Sequence, residues 1–118
     1  MHQQKIKSFL AHFVLDHISI EYLRFSYYLT IEQFKLLQFI YQFTHHHSEG
    51  LSLNAIIFYK NYQKNHLLKL ITHLYDFNWI SKERDPLDQR RLVINLTQHQ
   101  REKVLQMFED LSLIHISE

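Results

Sequence analysis

The sequence predicts a mainly α-helical single domain, spanning residues 1–118, that carries one small β-hairpin. Glycine and proline, the residues that most often interrupt helices, occur once each, as Gly50 and Pro86. Apolar residues recur at helical spacing along most of the chain, and only the stretch that begins at Trp79 changes to the alternation of strands. These observations place the hairpin at about 79–96, with helices before and after it.

Two long terminal helices are predicted, one over about 4–28 and one over about 98–113. In each, apolar residues at intervals of three and four form a stripe along one side. Thr97 followed by Gln100 has the spacing of a capping box and predicts the start of the last helix. A small core covers only part of two such stripes, so we expect the remainder to pair with a second copy of the chain as a homodimer. The alternative is a monomer in which both stripes pack internally.

A helix-turn-helix is predicted over about 52–76. Ser52 can cap a short helix, Asn61 and Tyr62 mark a turn, and a longer helix follows. Four polar residues lie at or near the exposed start of the longer helix: Gln63, Lys64, Asn65 and Lys69. Gln and Asn can bond adenine in the major groove and Lys can reach guanine or phosphate, which makes these residues candidates for DNA binding. The alternative is a solvated helix face, which carries the same residue types.

The predicted hairpin concentrates positive charge directly after this motif. Its cations are Lys82, Arg84, Arg90 and Arg91. Pro86 and Asp88 supply turn chemistry that brings the three arginines together, and arginines on a narrow ribbon can follow phosphates or enter a narrow minor groove. With the hairpin as a wing, the order of elements is a winged helix-turn-helix flanked by N- and C-terminal dimerisation helices. The alternative is a solvated turn in which Asp85 and Asp88 neutralise the arginines.

Several classes of function are disfavoured by composition. Cysteine is absent, which excludes disulfides, thiolate-zinc sites and thiol sensors within these residues. No phosphate loop or catalytic motif is present, so we expect neither an enzyme nor a cofactor. The consecutive His45–His47 do not converge well on one ion, and no metal site is predicted.

The absence of a long apolar run or signal peptide predicts a soluble, cytoplasmic protein without membrane contact. Because the net charge is only +1, nucleic-acid binding would need a local cationic patch.

The block "ISKERDPLDQRRLVINLT", preceded by "LLKLITHLYDFNW", resembles the MarR-type winged-helix regulators and most of all their SarA-like branch. The resemblance extends from about Leu29 to Met107. It implies a dimer built from the terminal helices, with recognition helices in successive major grooves and wings in the flanking minor grooves. The residue roles that it implies are DNA contacts by Arg84 and Arg90, a DNA-facing helix carrying Lys64 and Lys69, and a shape-holding pairing of Asp88 with an arginine.

One departure from that branch lies at the wing tip. The branch usually has Asp-Glu-Arg where this chain has Asp88-Gln89-Arg90, and the missing carboxylate makes the tip more positive. The expected function is that of a dimeric, sequence-specific DNA-binding transcriptional regulator, with AT-rich promoter DNA as its partner. The alternative is a winged-helix protein-interaction module that does not bind DNA, which the near-neutral net charge favours.

Overall fold

The computed structural model describes residues 16–117, with the side chains of residues 16–114. Its three strands form one antiparallel sheet in the order β1-β3-β2. The elements in chain order are α1 (His17–Tyr27), α2 (Ile31–His46), β1 (Leu51–Ser52), α3 (Leu53–Lys60), α4 (Lys64–Asp76), β2 (Ser81–Arg84), β3 (Leu92–Asn95) and α5 (Gln98–Ser117). The mainly helical fold with a small β wing is therefore confirmed. Among these residues no helix combines the length and the apolar content that crossing a membrane requires.

The first described helix begins directly after Asp16. Asp16 has an extended backbone, with φ −87° and ψ 175°, and its carboxylate accepts a hydrogen bond of 2.8 Å from the Ser19 N–H. Because this carboxylate satisfies one of the free N–H groups at a helix start, α1 begins at His17. A single continuous helix over 4–28 is therefore wrong at this point, and residues 4–15 lie outside the described part of the chain.

Reciprocal capping boxes start both α2 and α5. Thr30 and Gln33 exchange hydrogen bonds of 2.9 and 3.2 Å between side chain and backbone, and Thr97 and Gln100 do the same at 2.9 and 3.1 Å. The capping box predicted before the last helix is thus present. That helix continues to Ser117, beyond the predicted end near residue 113.

The core forms around α2, whose inner face is fully buried. Phe34 of α2 meets the edge of Phe108 from α5 at a ring distance of 6.0 Å, and Tyr41 meets the same ring at 5.3 Å. Such edge-to-face pairs add to the stabilisation from burial. Arg101 of α5 donates a hydrogen bond of 2.7 Å to the hydroxyl of Thr44. The last helix therefore folds back over α2 and closes the core.

The short strand β1 joins the helix-turn-helix to the wing. Leu51 pairs with Ile94 and Ser52 pairs with Val93, so the central strand of the sheet receives its second neighbour from the segment just before α3. Gly50, which precedes β1, has φ +93°, and a Cβ at this position would lie 2.7 Å from Val93 Cγ1 and 2.9 Å from the Ile94 carbonyl oxygen. The only glycine of the chain therefore stands where the backbone must approach the wing closely.

A hydrogen bond between Tyr27 and Asp110 connects the end of α1 to α5. The Tyr27 hydroxyl donates to the Asp110 carboxylate, and its ring lies between Tyr22 at 5.7 Å and Trp79 at 5.9 Å. Burial, and then the hydrogen bond to Asp110, raise the pKa of Tyr27 far above its ordinary value. The folded state therefore holds this phenol in its neutral form.

Replacing Gly50 by alanine is expected to reduce the free energy of unfolding by about 2–4 kcal/mol, through the positive φ together with the clash against β3. Urea unfolding of Gly50→Ala measures the effect. Ser48→Ala, an exposed position in the same loop, is the matched control and should stay within about 0.5 kcal/mol of the original chain. Equal stability of the two variants would show that the close approach does not require glycine.

The Tyr27 hydrogen bond predicts a loss of stability at alkaline pH. Above about pH 10 the unfolded chain ionises this tyrosine while the folded chain keeps it protonated, so the free energy of unfolding falls as the pH rises. Urea unfolding between about pH 8 and 11 should show a shallower decline for Tyr27→Phe than for the original chain. Tyr28→Phe, a change at an exposed neighbouring ring, should leave the decline as it is. The same slope for all three proteins would contradict the proposed coupling.

Candidate nucleic-acid interface

The turn between α3 and α4 sets the direction of the longer helix. Asn61 ends α3 in the left-handed conformation, with φ 55°, and its N–H bonds to the Ile57 carbonyl at 2.8 Å. Asn tolerates this conformation better than most residues. Gln63 then caps α4, because its side-chain oxygen accepts a hydrogen bond of 3.2 Å from the His66 N–H. The chain thus makes a tight turn, and Lys64 becomes the first residue of α4.

The two sides of α4 differ sharply in exposure. Its buried residues are Leu67, Leu70, Ile71 and Leu74. Lys64, Asn65 and Lys69 are exposed, and Leu68 is half-buried between the two sides. The four buried residues hold α4 against the core, so its polar side is presented to solvent.

Two contacts outside the core hold α4 against the junction of α1 and α2. His66 lies 2.7 Å from the Glu32 carboxylate, near the start of α4, and His73 lies 2.8 Å from the Tyr28 carbonyl oxygen, near its end. Tyr62, in the turn, packs beside His66, and burial together with the Glu32 charge raises the pKa of its hydroxyl. The helix is thereby fixed at both ends relative to the first two helices.

The wing tip, residues 85–91, is an ordered turn. The Asp85 N–H donates to the Arg91 carbonyl at 2.9 Å, which continues the ladder beyond β2 and β3. Asp85 Oδ1 accepts from the Leu87 N–H at 2.9 Å, and Asp88 Oδ1 accepts from the Arg90 N–H at 3.1 Å. These aspartate-to-backbone bonds are the Asx turns that stabilise a reversal of the chain. The tip therefore has a defined shape.

The same two aspartates pair with arginine side chains. Arg90 Nε lies 3.2 Å from Asp88 Oδ1, and Arg91 Nη1 lies 3.8 Å from Asp85 Oδ2. Arg90 is 92 % exposed, so its ion pair contributes little to folding stability. In contrast, Arg84 forms no ion pair with any residue in the described part of the chain. Part of the positive charge at the tip is thus paired locally, whereas Arg84 has no acidic partner among the described residues.

Cations from α4 and from the wing meet at one open cleft of about 250 Å³. It is lined by Leu53, Asn54, Lys64, Leu68, Arg84, Arg90, Arg91 and Leu92. Lys64 comes from the start of α4 and the arginines come from both strand ends of the wing, so folding brings together groups that are twenty or more positions apart in the sequence. Four cations around one cleft favour a polyanion such as a nucleic-acid backbone.

Much of the chain matches a known protein family. Residues 19–107, about three quarters of the chain, match the family described as transcriptional regulator SarA/Rot. The chain belongs to the SarA/Rot family of transcriptional regulators. The resemblance to SarA-like proteins stated from residues 29–107 is thereby confirmed. No curated protein sequence matches the chain significantly.

Solved structures share the fold of this SarA/Rot regulator. AbfR, a protein of Staphylococcus epidermidis whose overoxidized form was solved bound to DNA, has a TM-score of 0.66 and 21 % identity, covering 97 % of this chain and 85 % of AbfR. The DNA complex of S. aureus MepR has a TM-score of 0.65 and 21 % identity, and the match covers 98 % of this chain and 82 % of MepR. The transcriptional regulator BldR from Sulfolobus solfataricus has a TM-score of 0.62 and 17 % identity, and the match covers 96 % of this chain and 70 % of BldR. At these identities the likeness establishes the winged-helix fold.

Not all of the candidate residues of this SarA/Rot regulator lie at the cleft. Lys82 is on the strand that faces α4, but its ammonium lies 4.1 Å from the centre of the Tyr75 ring, at the far end of α4. Asn65 and Lys69 are exposed on α4 outside the lining of the cleft. The side-chain oxygen of Gln63 is engaged in capping, which leaves its amide N–H groups for other partners. The candidate residues thus fall into two sets. Lys64, Arg84, Arg90 and Arg91 line the cleft, whereas Gln63, Asn65, Lys69 and Lys82 lie outside it.

Sequence reasoning missed Asn54 and the strand before it. Asn54 lines the cleft from α3 because β1 places the start of α3 beside the wing. A strand of two residues is too short for alternation to be read, and Ser52 was interpreted only as a cap. The available signal was the single glycine directly before it. The histidines at 45–47 lie at the end of α2, and among the described residues no group of three metal-binding side chains converges.

Proposed function

We propose that this SarA/Rot regulator binds double-stranded DNA as a homodimer, with α4 in the major groove and the wing at the flanking minor groove. The observation that carries the proposal is the cleft at which Lys64 meets Arg84, Arg90 and Arg91. A protein-interaction module would not need four cations from two separate elements around one opening. A DNA backbone that passes from one groove to the next fits that opening by charge.

The exposed side of α4 has the residues for reading and positioning. The major groove is about 12 Å wide and admits an α-helix. Asn65 can accept from and donate to adenine, while Lys64 and Lys69 can reach phosphate or guanine. The free N–H groups at the start of α4 add favourable interaction with a phosphate. Of the candidate residues on this helix, Gln63 can use only its amide N–H groups, since its oxygen caps the helix.

In the wing, Arg84 and Arg90 have different roles. Arg84 has no acidic partner among the described residues and lies at the cleft, so it is suited to a phosphate. Arg90 extends into solvent at the tip and can exchange Asp88 for the minor groove, whose negative potential is strongest where AT-rich DNA narrows it. Arg91 would add charge beside these two contacts, Lys82 would add charge nearer the other end of α4, and Asp88 would hold the turn.

The terminal helices supply the proposed dimer contacts. Ile18 and Phe25 of α1 are exposed apolar residues, and α1 lies against α5 through Tyr27 and Asp110. Pairing these helices across a two-fold axis would cover that apolar surface and would place two α4 helices toward half-sites about one helical turn apart. AbfR and MepR have this fold and were solved bound to DNA, which supports the same binding here. We place the protein in the cytoplasm, beside the chromosome, without a catalytic activity.

The proposal predicts which cations determine the salt dependence of DNA binding. With a fluorescently labelled AT-rich duplex, affinity measured by anisotropy over a range of salt should decrease steeply for the original chain. Arg84→Ala and Lys64→Ala should each reduce the log–log slope by about 0.9, the value for one lost phosphate contact. Lys35→Ala removes the same charge at an exposed position of α2 outside the cleft, and it should leave the slope unchanged.

Equal slopes for the cleft variants and for Lys35→Ala would contradict the assignment of the cleft to DNA. If the original chain bound neither AT-rich nor GC-rich duplexes at low salt, the regulator would act through protein contacts instead. A GC-rich duplex of equal length is the matched control for the proposed preference for a narrow minor groove.

The dimer predicts a mass of about 29 kDa in solution, twice the 14.5 kDa of one chain. Analytical ultracentrifugation at micromolar concentration measures it. Phe25→Glu should shift the equilibrium toward the single chain, because it places a charge in the proposed apolar contact. Gln42→Glu, which adds the same charge at an exposed position of α2, should leave the mass unchanged. A mass of 14.5 kDa for the original chain would overturn the dimer.

A further inference from the structure

Leu87 stands at the outermost point of the wing with 98 % of its side chain exposed. Single exposed leucines are common on protein surfaces, and exposure alone would indicate nothing. The position of Leu87 is what distinguishes it, because it lies between the two Asx turns that shape the tip. Its own N–H is bonded to Asp85 Oδ1 at 2.9 Å, and the Asp88 N–H is bonded to the Asp85 carbonyl at 3.2 Å. The backbone around this apolar side chain is therefore held in place before any partner binds.

We infer that Leu87 is an apolar contact residue that enters the minor groove of DNA beside Arg90. The inference rests on the proposed DNA-binding function. The minor groove is about 6 Å wide, whereas two paired strands are about 4.8 Å apart before their side chains are counted. Because the side chains on both strands make the hairpin wider than the groove, the hairpin as a whole does not fit, and the groove receives only the side chains of the tip. Leu87 and Arg90 are both almost completely exposed there, and Leu87 is the large apolar residue among them.

The charge balance of the tip favours a contribution that is not electrostatic. The tip, residues 85–91, holds two arginines and two aspartates and has no net charge, and Arg84 beside it brings residues 84–91 to +1. Because Arg90 and Arg91 each lie beside an aspartate, part of their attraction for DNA is offset by breaking or sharing those pairs. An apolar side chain carries no such cost. Apolar residues in minor-groove proteins contact the sugars and can press between base steps, and Leu87 has the reach and the rigid support for such a contact.

This role has a signature that separates it from the arginines. Loss of an apolar contact weakens binding by the same factor at every salt concentration, whereas loss of a phosphate contact changes the slope. Leu87→Ala should bind the AT-rich duplex about 3- to 30-fold more weakly than the original chain, with an unchanged log–log salt slope. Leu87→Met, which keeps the apolar area, should retain affinity. Gln89→Ala, at an exposed neighbour in the same turn, is the matched control and should bind like the original chain.

The groove is tested by netropsin, a small ligand that occupies the minor groove of AT-rich DNA. On a duplex saturated with netropsin, the difference between Leu87→Ala and the original chain should disappear. A difference that persists would overturn the placement of Leu87 in that groove. Equal affinities of the two proteins on the free duplex would overturn the inference, while a steep salt slope would still support the proposed function. Absence of DNA binding by the original chain would overturn both. Because Leu87 is almost fully exposed, its variants are expected to keep the circular dichroism spectrum and melting temperature.

Discussion

The pairing of β1 with β3 is the constraint on which the cationic cleft depends. β1 consists of Leu51 and Ser52 alone, yet it connects the central strand of the wing to the first residue of α3. The Ser52 hydroxyl also caps α3, accepting from the Ala55 N–H at 3.1 Å. One short segment thus orients both the helix-turn-helix and the wing. Without this pairing, only the chain between α4 and β2 would set the distance between Lys64 and the arginines of the wing.

The charges of the interface are arranged for contact at short range. The whole chain has a net charge of only +1, and interactions between exposed charges are screened beyond about 8 Å at physiological salt. Long-range attraction to DNA is therefore weak. Near the surface the situation differs, since Lys64 and Arg84 have no acidic partner among the described residues while Arg90 and Arg91 are paired with aspartates. The proposed DNA contact therefore depends on the charges around the cleft rather than on the net charge of the chain.

The periodicity of apolar residues, together with the capping and turn residues, was sufficient to predict the fold but not the details of the interface. Helical spacing, the capping box at Thr97 and the change of period after Trp79 are local signals, and each corresponds to an element of the structure. The start of α1 at His17 is not visible in the pattern of the sequence, because apolar residues at helical spacing continue through Asp16, and it depends on the bond of the Asp16 side chain to the Ser19 N–H. The ion pairs of Asp85 and Asp88 had been considered as an alternative to DNA contacts. The structure shows that the pairs form, and that one arginine, Arg84, is left outside them.

The two histidine contacts of α4 have a mechanical consequence. His66 and His73 attach opposite ends of the helix to Glu32 and to the Tyr28 carbonyl, so α4 cannot rotate against the first two helices without breaking both bonds. The first, second and fourth helices are therefore linked at two separate points. A displacement of α1 or α2 that keeps both hydrogen bonds would carry α4, and the cations on its exposed side, with it.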